Sequence, residues 1–306
     1  MNVARRRFLG TGLASFFGAG INFASAVETP WQRSTKGSLI PALAAYSFRD
    51  HFGYIKGKQN KKVKPEDAMD MKGFIHYCAE QGVAAELTSY FFDPDVENAY
   101  LTECRSEAHL NGVAIAGTAV GNQFTLEPGS DAAAEQMKYV KTWIDRAVLM
   151  GAPHVRVFAG KIPKGMDEKT AEKNATEALS RAGEYAAEKG VFLGIENHDS
   201  IGSAEKLLNI VTSVKNPWVG VNLDSGNFRT ADPYADFAEC VPYAVNIQLK
   251  EEIKINEEKL PVDMEKIFSS IKSGGYSGHV VLEFEGKGDP FQRVPELLEE
   301  VKKFTR

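Results

Sequence analysis

Short apolar runs alternate with longer amphipathic stretches along most of the chain. Each apolar run has the length of a strand and is bounded by Gly, Pro or polar residues, a pattern that is typical of buried strands. The runs cover residues 39–46, 83–88, 113–119, 154–159, 191–196, 219–224, 244–249 and 279–285. Between them, apolar positions recur at helical spacing, most clearly over residues 132–150 and 170–189. The pattern predicts a regular alternation of strands and helices.

Glycines mark the ends of several predicted helices. Gly82, Gly112, Gly151, Gly190 and Gly275 each follow a helical stretch and precede a strand run, where left-handed helix caps are common. Eight strand–helix units in a chain of 306 residues predict a single (β/α)8 TIM barrel over residues 38–306. A doubly wound open sheet is the alternative, but no Gly-rich phosphate loop follows the first strand.

The first 26 residues differ from the rest of the chain. Arg5-Arg6-Arg7 precede Phe8-Leu9 and an uncharged stretch, which ends in the cleavage-type sequence Ala24-Ser25-Ala26. This arrangement resembles a twin-arginine export signal, and its apolar run is too weakly hydrophobic for a typical membrane span. We expect residues 1–26 to be a signal peptide and residues 27–37 a linker. The mature protein is then periplasmic or extracellular, with no stable membrane span; an uncleaved N-terminal anchor is the alternative.

The charge balance and the cysteines exclude several classes of function. The formal net charge of -5 disfavours nucleic-acid binding, which needs clustered Lys and Arg. Cys78, Cys104 and Cys240 form no C-x-x-C motif, so we expect buried thiols and not a disulfide framework or a zinc site. A basic insertion at residues 54–65 predicts either a solvated loop or a lid over the barrel mouth.

Charged and amide side chains close four consecutive predicted strands. The motifs are G-I-E-N-H from Gly194, L-D-S-G-N from Leu223, I-Q-L-K-E from Ile247 and V-L-E-F-E-G from Val281. In a barrel these strand ends meet at one face, where active sites lie. Carboxylates held close together repel each other unless a cation or a proton lies among them. A divalent ion bound by oxygen ligands is the simplest way to satisfy such a cluster.

These four motifs, in their order and spacing, resemble the sugar phosphate isomerase/epimerase family of xylose-isomerase-like barrels. The resemblance implies that Glu196, Asp224, residue 248 and Glu283 bind one divalent metal, and that the two glutamates move a proton on a carbon next to a carbonyl. The sequence departs from the family twice, because Gln248 and Asn227 stand where histidines are usual. An amide oxygen is a harder ligand than imidazole, so Mg²⁺ or Mn²⁺ is favoured over Zn²⁺.

Four further residues are candidates for binding a substrate. Arg156 lies in strand 4, and its alternative role is an interior salt bridge to Glu86 or Glu196. His198 lies at the end of strand 5, and its alternative role is a strand-end hydrogen bond. Lys250 lies where barrels carry Schiff-base lysines, but neighbouring acids would hold its pKa high, so we favour an electrostatic role. Glu86 follows strand 2 and has a structural ion pair as its alternative. The other histidines, interpreted as surface or helix residues, are His51, His76, His109 and His154.

The resemblance favours an isomerase or epimerase that acts on a sugar or sugar-like polyol by metal-assisted proton transfer. Export makes free sugars, keto-sugars or glycosides more plausible substrates than sugar phosphates. A lyase or dehydratase acting on a keto-sugar or a 3-keto-glycoside would use the same proton abstraction. A secreted sugar-binding barrel without catalysis is the third possibility, because Gln248 replaces a ligand histidine. Endonuclease IV shares the fold, but the acidic balance and the missing histidine disfavour a DNA enzyme.

Overall fold

The computed structural model describes residues 31–34, 37–256 and 258–305. Eight parallel strands close into a barrel in which each strand pairs with its neighbours in chain order, and the first strand pairs with the last. The predicted TIM barrel is therefore confirmed. The barrel strands are β1 Leu39–Ala44, β2 Ala84–Glu86, β3 Ile115–Ala119, β4 His154–Val157, β5 Phe192–Glu196, β6 Val219–Asp224, β7 Ala244–Leu249 and β8 Gly278–Leu282.

Helices follow the strands and cover the outside of the barrel. They are α1 Met71–Gln81, α2 Asn98–Leu110, α3 Asp131–Met150, α4 Glu168–Lys189, α5 Ala204–Ser213, α6 Pro233–Cys240, α7 Met264–Ser273 and α8 Pro290–Thr305. Local sequence sets their ends. The side chains of Ser130 and Asp167 accept hydrogen bonds from the backbone of the first turns of α3 and α4. Gly151 and Gly190 end the same helices with φ of 73° and 70°, as the glycine pattern predicted.

The main hydrophobic core lies between the strands and the surrounding helices. Leu193, Val155 and Ile247 are fully buried strand residues that belong to this core. The cysteines behave as expected, since all three are buried and free. Within the described residues, no helix has the length and apolar character needed to cross a membrane.

The basic insertion forms a short hairpin at the edge of the barrel mouth. Its strands, Tyr54–Ile55 and Lys58–Gln59, pair antiparallel. At the tip, the Lys56 backbone N–H donates to the Tyr90 carbonyl oxygen at 2.8 Å. The Lys56 ammonium lies 4.9 Å from the centre of the Tyr90 ring. The hairpin therefore stands where the predicted lid would be.

The described part of the predicted linker packs against the opposite end of the barrel. The rings of Trp31 and Phe192 lie edge to face with centroids 6.1 Å apart. The Arg33 guanidinium donates to the Ala244 carbonyl oxygen and lies 4.5 Å from the Tyr276 ring. The predicted signal peptide, residues 1–26, lies outside the described residues.

Candidate active site

The carboxyl ends of β4 to β8 surround a cavity of about 860 Å³. Four charged residues on these ends line the cavity and are at least nine-tenths buried; we call them the mouth layer. Glu196 ends β5, and Glu283 directly follows β8. The other two members of the mouth layer are Arg156 in β4 and Lys250 directly after β7. The sequence analysis singled out all four.

An ion pair and a hydrogen bond hold Glu196 in place. The Arg156 Nε atom lies 2.9 Å from Oε2 of Glu196, and the Asn227 amide donates to Oε1 at 2.8 Å. Arg156 also donates to the Val120 carbonyl oxygen at 2.9 Å and stacks on the Phe158 ring at 4.0 Å. Arg156 therefore makes the predicted interior salt bridge and also lines the cavity. Burial raises the pKa of Glu196 to about 7, although the Arg156 charge opposes this shift.

Lys250 lies among three carboxylates. Its ammonium contacts Glu283 and lies 3.1 Å from Oε2 of Glu285 and 3.4 Å from Oδ2 of Asp224. Burial alone would lower the pKa of Lys250, but the surrounding carboxylates outweigh this effect and hold the pKa well above its ordinary value. The amine therefore stays protonated. This geometry supports the electrostatic role and argues against a Schiff base.

Asp224 ends β6 beneath the ammonium and does not line the cavity. Its Oδ1 accepts from the Gly226 N–H at 2.8 Å, whereas Oδ2 has no hydrogen-bond partner and faces Lys250. Burial raises the pKa of Asp224 to about 7, although the Lys250 charge opposes this shift. Asp224 thus belongs to the site through Lys250.

A second set of polar residues lies deeper in the barrel; we call Glu86, Asn222, Asn246 and Gln248 the floor layer. The amides form a chain. Asn246 donates to Asn222 at 2.8 Å, Asn222 donates to Oε1 of Gln248 at 2.7 Å, and Gln248 donates to Glu86 at 3.2 Å. Asn222 and Asn246 were not identified from the sequence, although each lies two residues before a predicted site residue and therefore on the same strand face.

Glu86 does not lie where the sequence analysis expected. It is fully buried and does not line the cavity, so in this arrangement it cannot contact a substrate. The alternative of a structural ion pair also needs correction, because its hydrogen-bond partner is the neutral Gln248 amide. Burial, with a further contribution from the Glu283 charge, raises the pKa of Glu86 to about 8.

The groups predicted to bind a divalent metal do not fit a single ion as they are arranged. Glu196 pairs with Arg156, while Asp224 and Glu283 face the Lys250 ammonium. The Gln248 oxygen accepts from another amide instead of joining the carboxylates. In the part of the chain that the structure describes, no group of three or more His, Cys, Asp or Glu side chains has the arrangement of a metal site. These side chains, as arranged, therefore offer no common position to one divalent ion.

Two histidines differ in their positions. His198 lines the cavity, where its Nδ1 lies 3.2 Å from Oδ2 of Asp199 and its ring lies 4.5 Å from the Phe158 ring. His154 was interpreted as a surface or helix residue, and that interpretation is wrong. It begins β4, is only 3% exposed, and its ring points into the barrel against Gly117 and Gly194. The two glycines leave the space that the imidazole fills.

Aromatic residues complete the cavity and were missed by the sequence analysis. Tyr46, Tyr90 and Phe158 all line it. Tyr90 accepts a long hydrogen bond of 3.4 Å from the Arg156 guanidinium. Each of the three follows a strand end within four residues, so the sequence could have predicted their position at the barrel mouth.

A family model of xylose isomerase-like TIM barrels matches residues 76–305. Among curated proteins, no sequence matches the chain. A solved D-psicose 3-epimerase with D-tagatose from Clostridium cellulolyticum H10 is similar at a TM-score of 0.64 and 16% identity, covering 85% of this chain and 89% of that one. A xylose isomerase-like TIM barrel protein from Mycobacterium smegmatis in complex with magnesium has a TM-score of 0.65 and 15% identity, covering 90% and 98%. An apo 3-keto-D-glucoside 4-epimerase from E. coli has a TM-score of 0.60 and 14% identity, covering 81% and 99%.

Proposed function

The chain belongs to the xylose isomerase-like TIM barrel family, and from that premise we propose that it is an enzyme that isomerises or epimerises a sugar or a sugar-like polyol. The observation that carries the proposal is the pair of buried glutamates in the mouth layer. Glu196 and Glu283 line one cavity, and each has its own cationic partner. Similar structures named as sugar epimerases agree with this proposal.

The reaction starts with a carbonyl sugar in the cavity. One glutamate takes the proton from the carbon next to the carbonyl, and the electrons of the C–H bond form a C=C bond as the carbonyl oxygen becomes negative. The other glutamate returns a proton to the same carbon for epimerisation. For isomerisation it returns the proton to the former carbonyl carbon, while the hydroxyl proton on the carbon that was deprotonated moves to the former carbonyl oxygen and leaves a new carbonyl there. Because the two glutamates stand on β5 and β8, they approach the substrate from different sides.

The substrate class follows from the cavity and from the proposed export. A cavity of about 860 Å³ is at the upper end of small-molecule sites, so it has room for more than one sugar ring. We propose free keto-sugars or 3-keto-glycosides, because an exported enzyme meets few sugar phosphates. The cavity volume also fits the lyase alternative, since elimination from a glycoside needs space for the leaving aglycone.

Product analysis separates the candidate functions. The purified chain is incubated with a panel of free ketoses and 3-keto-glycosides, and the products are followed by NMR. An epimer or an aldose–ketose pair supports the proposal. An alkene with a released alcohol identifies the lyase instead. Saturable binding of a panel member without turnover identifies a sugar-binding protein.

Export itself is proposed from the sequence and needs its own test. Replacing both Arg5 and Arg6 with Lys should leave the precursor inside the cell, since the arginine pair carries the resemblance to a twin-arginine signal. Cell fractionation and N-terminal sequencing provide the readout, with a mature start near Val27 expected for the unchanged chain. Unchanged export of the double variant would contradict the proposed route.

A further inference from the structure

The protein itself supplies a partner to every side chain that the family resemblance assigns to a metal. Glu196 has the Arg156 guanidinium and the Asn227 amide. Asp224 and Glu283 have the Lys250 ammonium. The oxygen of Gln248 has the Asn222 amide. We propose that the site works without a metal ion and that Lys250 supplies the positive charge in its place. This inference rests on the proposed function.

The two departures from the family pattern also favour a site without a metal ion. Histidines are usual at positions 248 and 227, and here both positions carry amides that donate to carboxylates. Gln248 donates to Glu86, and Asn227 donates to Glu196 at 2.8 Å. An amide binds a metal through its oxygen, and the Gln248 oxygen already accepts a hydrogen bond from the Asn222 amide. Gln248, at the one ligand position of the two, is therefore used within the floor layer, and Asn227 holds Glu196.

The position of the ammonium disfavours a second cation. Lys250 lies within ion-pair distance of Glu283, Asp224 and Glu285, and the resemblance assigns the first two to the metal. A divalent ion bound to the same oxygens would lie beside a buried positive charge and would be repelled by it. Metal binding would require Lys250 to leave a pocket in which only 8% of its side chain is exposed.

The same position suits Lys250 for catalysis. Its side chain lines the cavity next to Glu283, so a substrate carbonyl can reach the ammonium. Of its three carboxylate partners, Glu285 is the most exposed, at 43% of its side chain, and is the one that a substrate oxygen can replace. A fixed buried cation beside the forming oxyanion stabilises the negative charge as a metal would.

The test measures metal binding first, without any substrate. The purified full-length protein is analysed for metal content by mass spectrometry. It is then titrated with Mn²⁺, and binding is followed by EPR. The unchanged chain should carry no stoichiometric metal and should show no saturable Mn²⁺ binding. The double variant Gln248→His with Lys250→Met should show saturable Mn²⁺ binding, since it gains an imidazole and loses the competing charge.

Lys259→Met is the matched control, because Lys259 also pairs with a carboxylate, Glu252 at 2.7 Å, but is exposed and lies outside the cavity. Its Mn²⁺ titration should equal that of the unchanged chain. One equivalent of tightly bound metal in the unchanged protein would overturn the inference, and this measurement does not require the variant to fold.

An activity measurement separates this inference from the proposed function. With a substrate found in the product screen, turnover should be the same before and after exhaustive treatment with EDTA. Turnover that EDTA abolishes and Mn²⁺ restores would overturn the role of Lys250 but leave the isomerase or epimerase intact. If no member of the screen reacts, the proposed function fails, while the metal titration still decides the metal question.

Discussion

The mouth layer and the floor layer are both buried and polar, but they differ in what completes their interactions. In the floor layer, each amide donates to the next residue in the order Asn246, Asn222 and Gln248, and the last amide donates to the Glu86 carboxyl group. In the mouth layer, carboxylates pair with full charges and face an open cavity. The comparison teaches that burial alone does not identify a reactive group. A reactive group also needs access to a ligand, and only the mouth layer has it.

The largest expected effect is the loss of a proton carrier from the mouth layer. Glu196→Gln and Glu283→Gln keep the shape of the side chain but cannot take a proton. Each should lower kcat/KM at least about 10²-fold, the low end for general acid–base catalysis. Steady-state kinetics measures the loss, and circular dichroism checks that the fold is kept. Activity within a few-fold of the unchanged enzyme in either variant would remove that glutamate from the mechanism.

A floor-layer carboxyl should affect stability with a defined pH dependence. Burial raises the pKa of Glu86 to about 8 from an ordinary value of 4.5. Below pH 4.5 it is protonated in both the folded and unfolded chains and has no effect on the pH dependence. Between the two values only the unfolded chain loses the proton, so stability falls as the pH rises and reaches its full penalty above pH 8.

Glu86→Gln removes that penalty because glutamine resembles the protonated acid. The variant should equal the unchanged chain near pH 4 and exceed it increasingly toward pH 8, where the gain in free energy of unfolding is on the order of a few kcal/mol. Urea unfolding at several pH values measures the difference. Exposed Glu258→Gln is the control and should show no such divergence. A gain that is independent of pH would contradict the buried, protonated state.

Breaking the amide chain should affect folding more than chemistry. Asn222→Leu leaves the Gln248 oxygen and the Asn246 amide without their present partners. We expect a loss of about 1–3 kcal/mol in free energy of unfolding, the usual range for unsatisfied buried polar groups. At a temperature where the variant is folded, kcat should stay within a few-fold. A loss of kcat as large as that of the glutamate variants would show that the floor layer takes part in catalysis.

The smallest effect on kinetics is expected from the hairpin at the edge of the barrel mouth. The Lys56 ammonium lies over the Tyr90 ring, and its residue lines the cavity. Lys56→Met should raise KM about two- to fivefold with little change in kcat, in line with the modest energy of an exposed cation–π contact. Lys58→Met on the same hairpin but outside the cavity is the control. Equal kinetics for both variants would show that the hairpin only covers the barrel and does not contact substrate.

The barrel, the four residues of the mouth layer and Asp224 could be predicted because strand ends are local features. Glu196, Asp224 and Glu283 follow apolar runs directly, and a barrel brings such ends together whatever its loops do. Depth along the barrel axis was not predictable. Glu86 also closes a strand, yet the stagger of the strands places it below the cavity floor.

Two other features needed the tertiary structure. The sequence predicted acids near Lys250, but which carboxylates surround its ammonium depends on contacts between β6, β7 and the end of β8. His154 was interpreted as a surface or helix residue because it lies outside the cluster of strand ends, and its burial depends on the space left by Gly117 and Gly194.

One turnover in D2O decides whether the mouth layer moves a proton at carbon. With a substrate from the screen, the isolated product should carry one solvent deuterium on the carbon next to the carbonyl, as detected by NMR and mass spectrometry. The glutamate that protonates the carbon would then carry a deuteron from solvent, while the glutamate that abstracts the proton releases it to solvent. A product formed at the normal rate without any deuterium would contradict proton transfer through these two carboxylates.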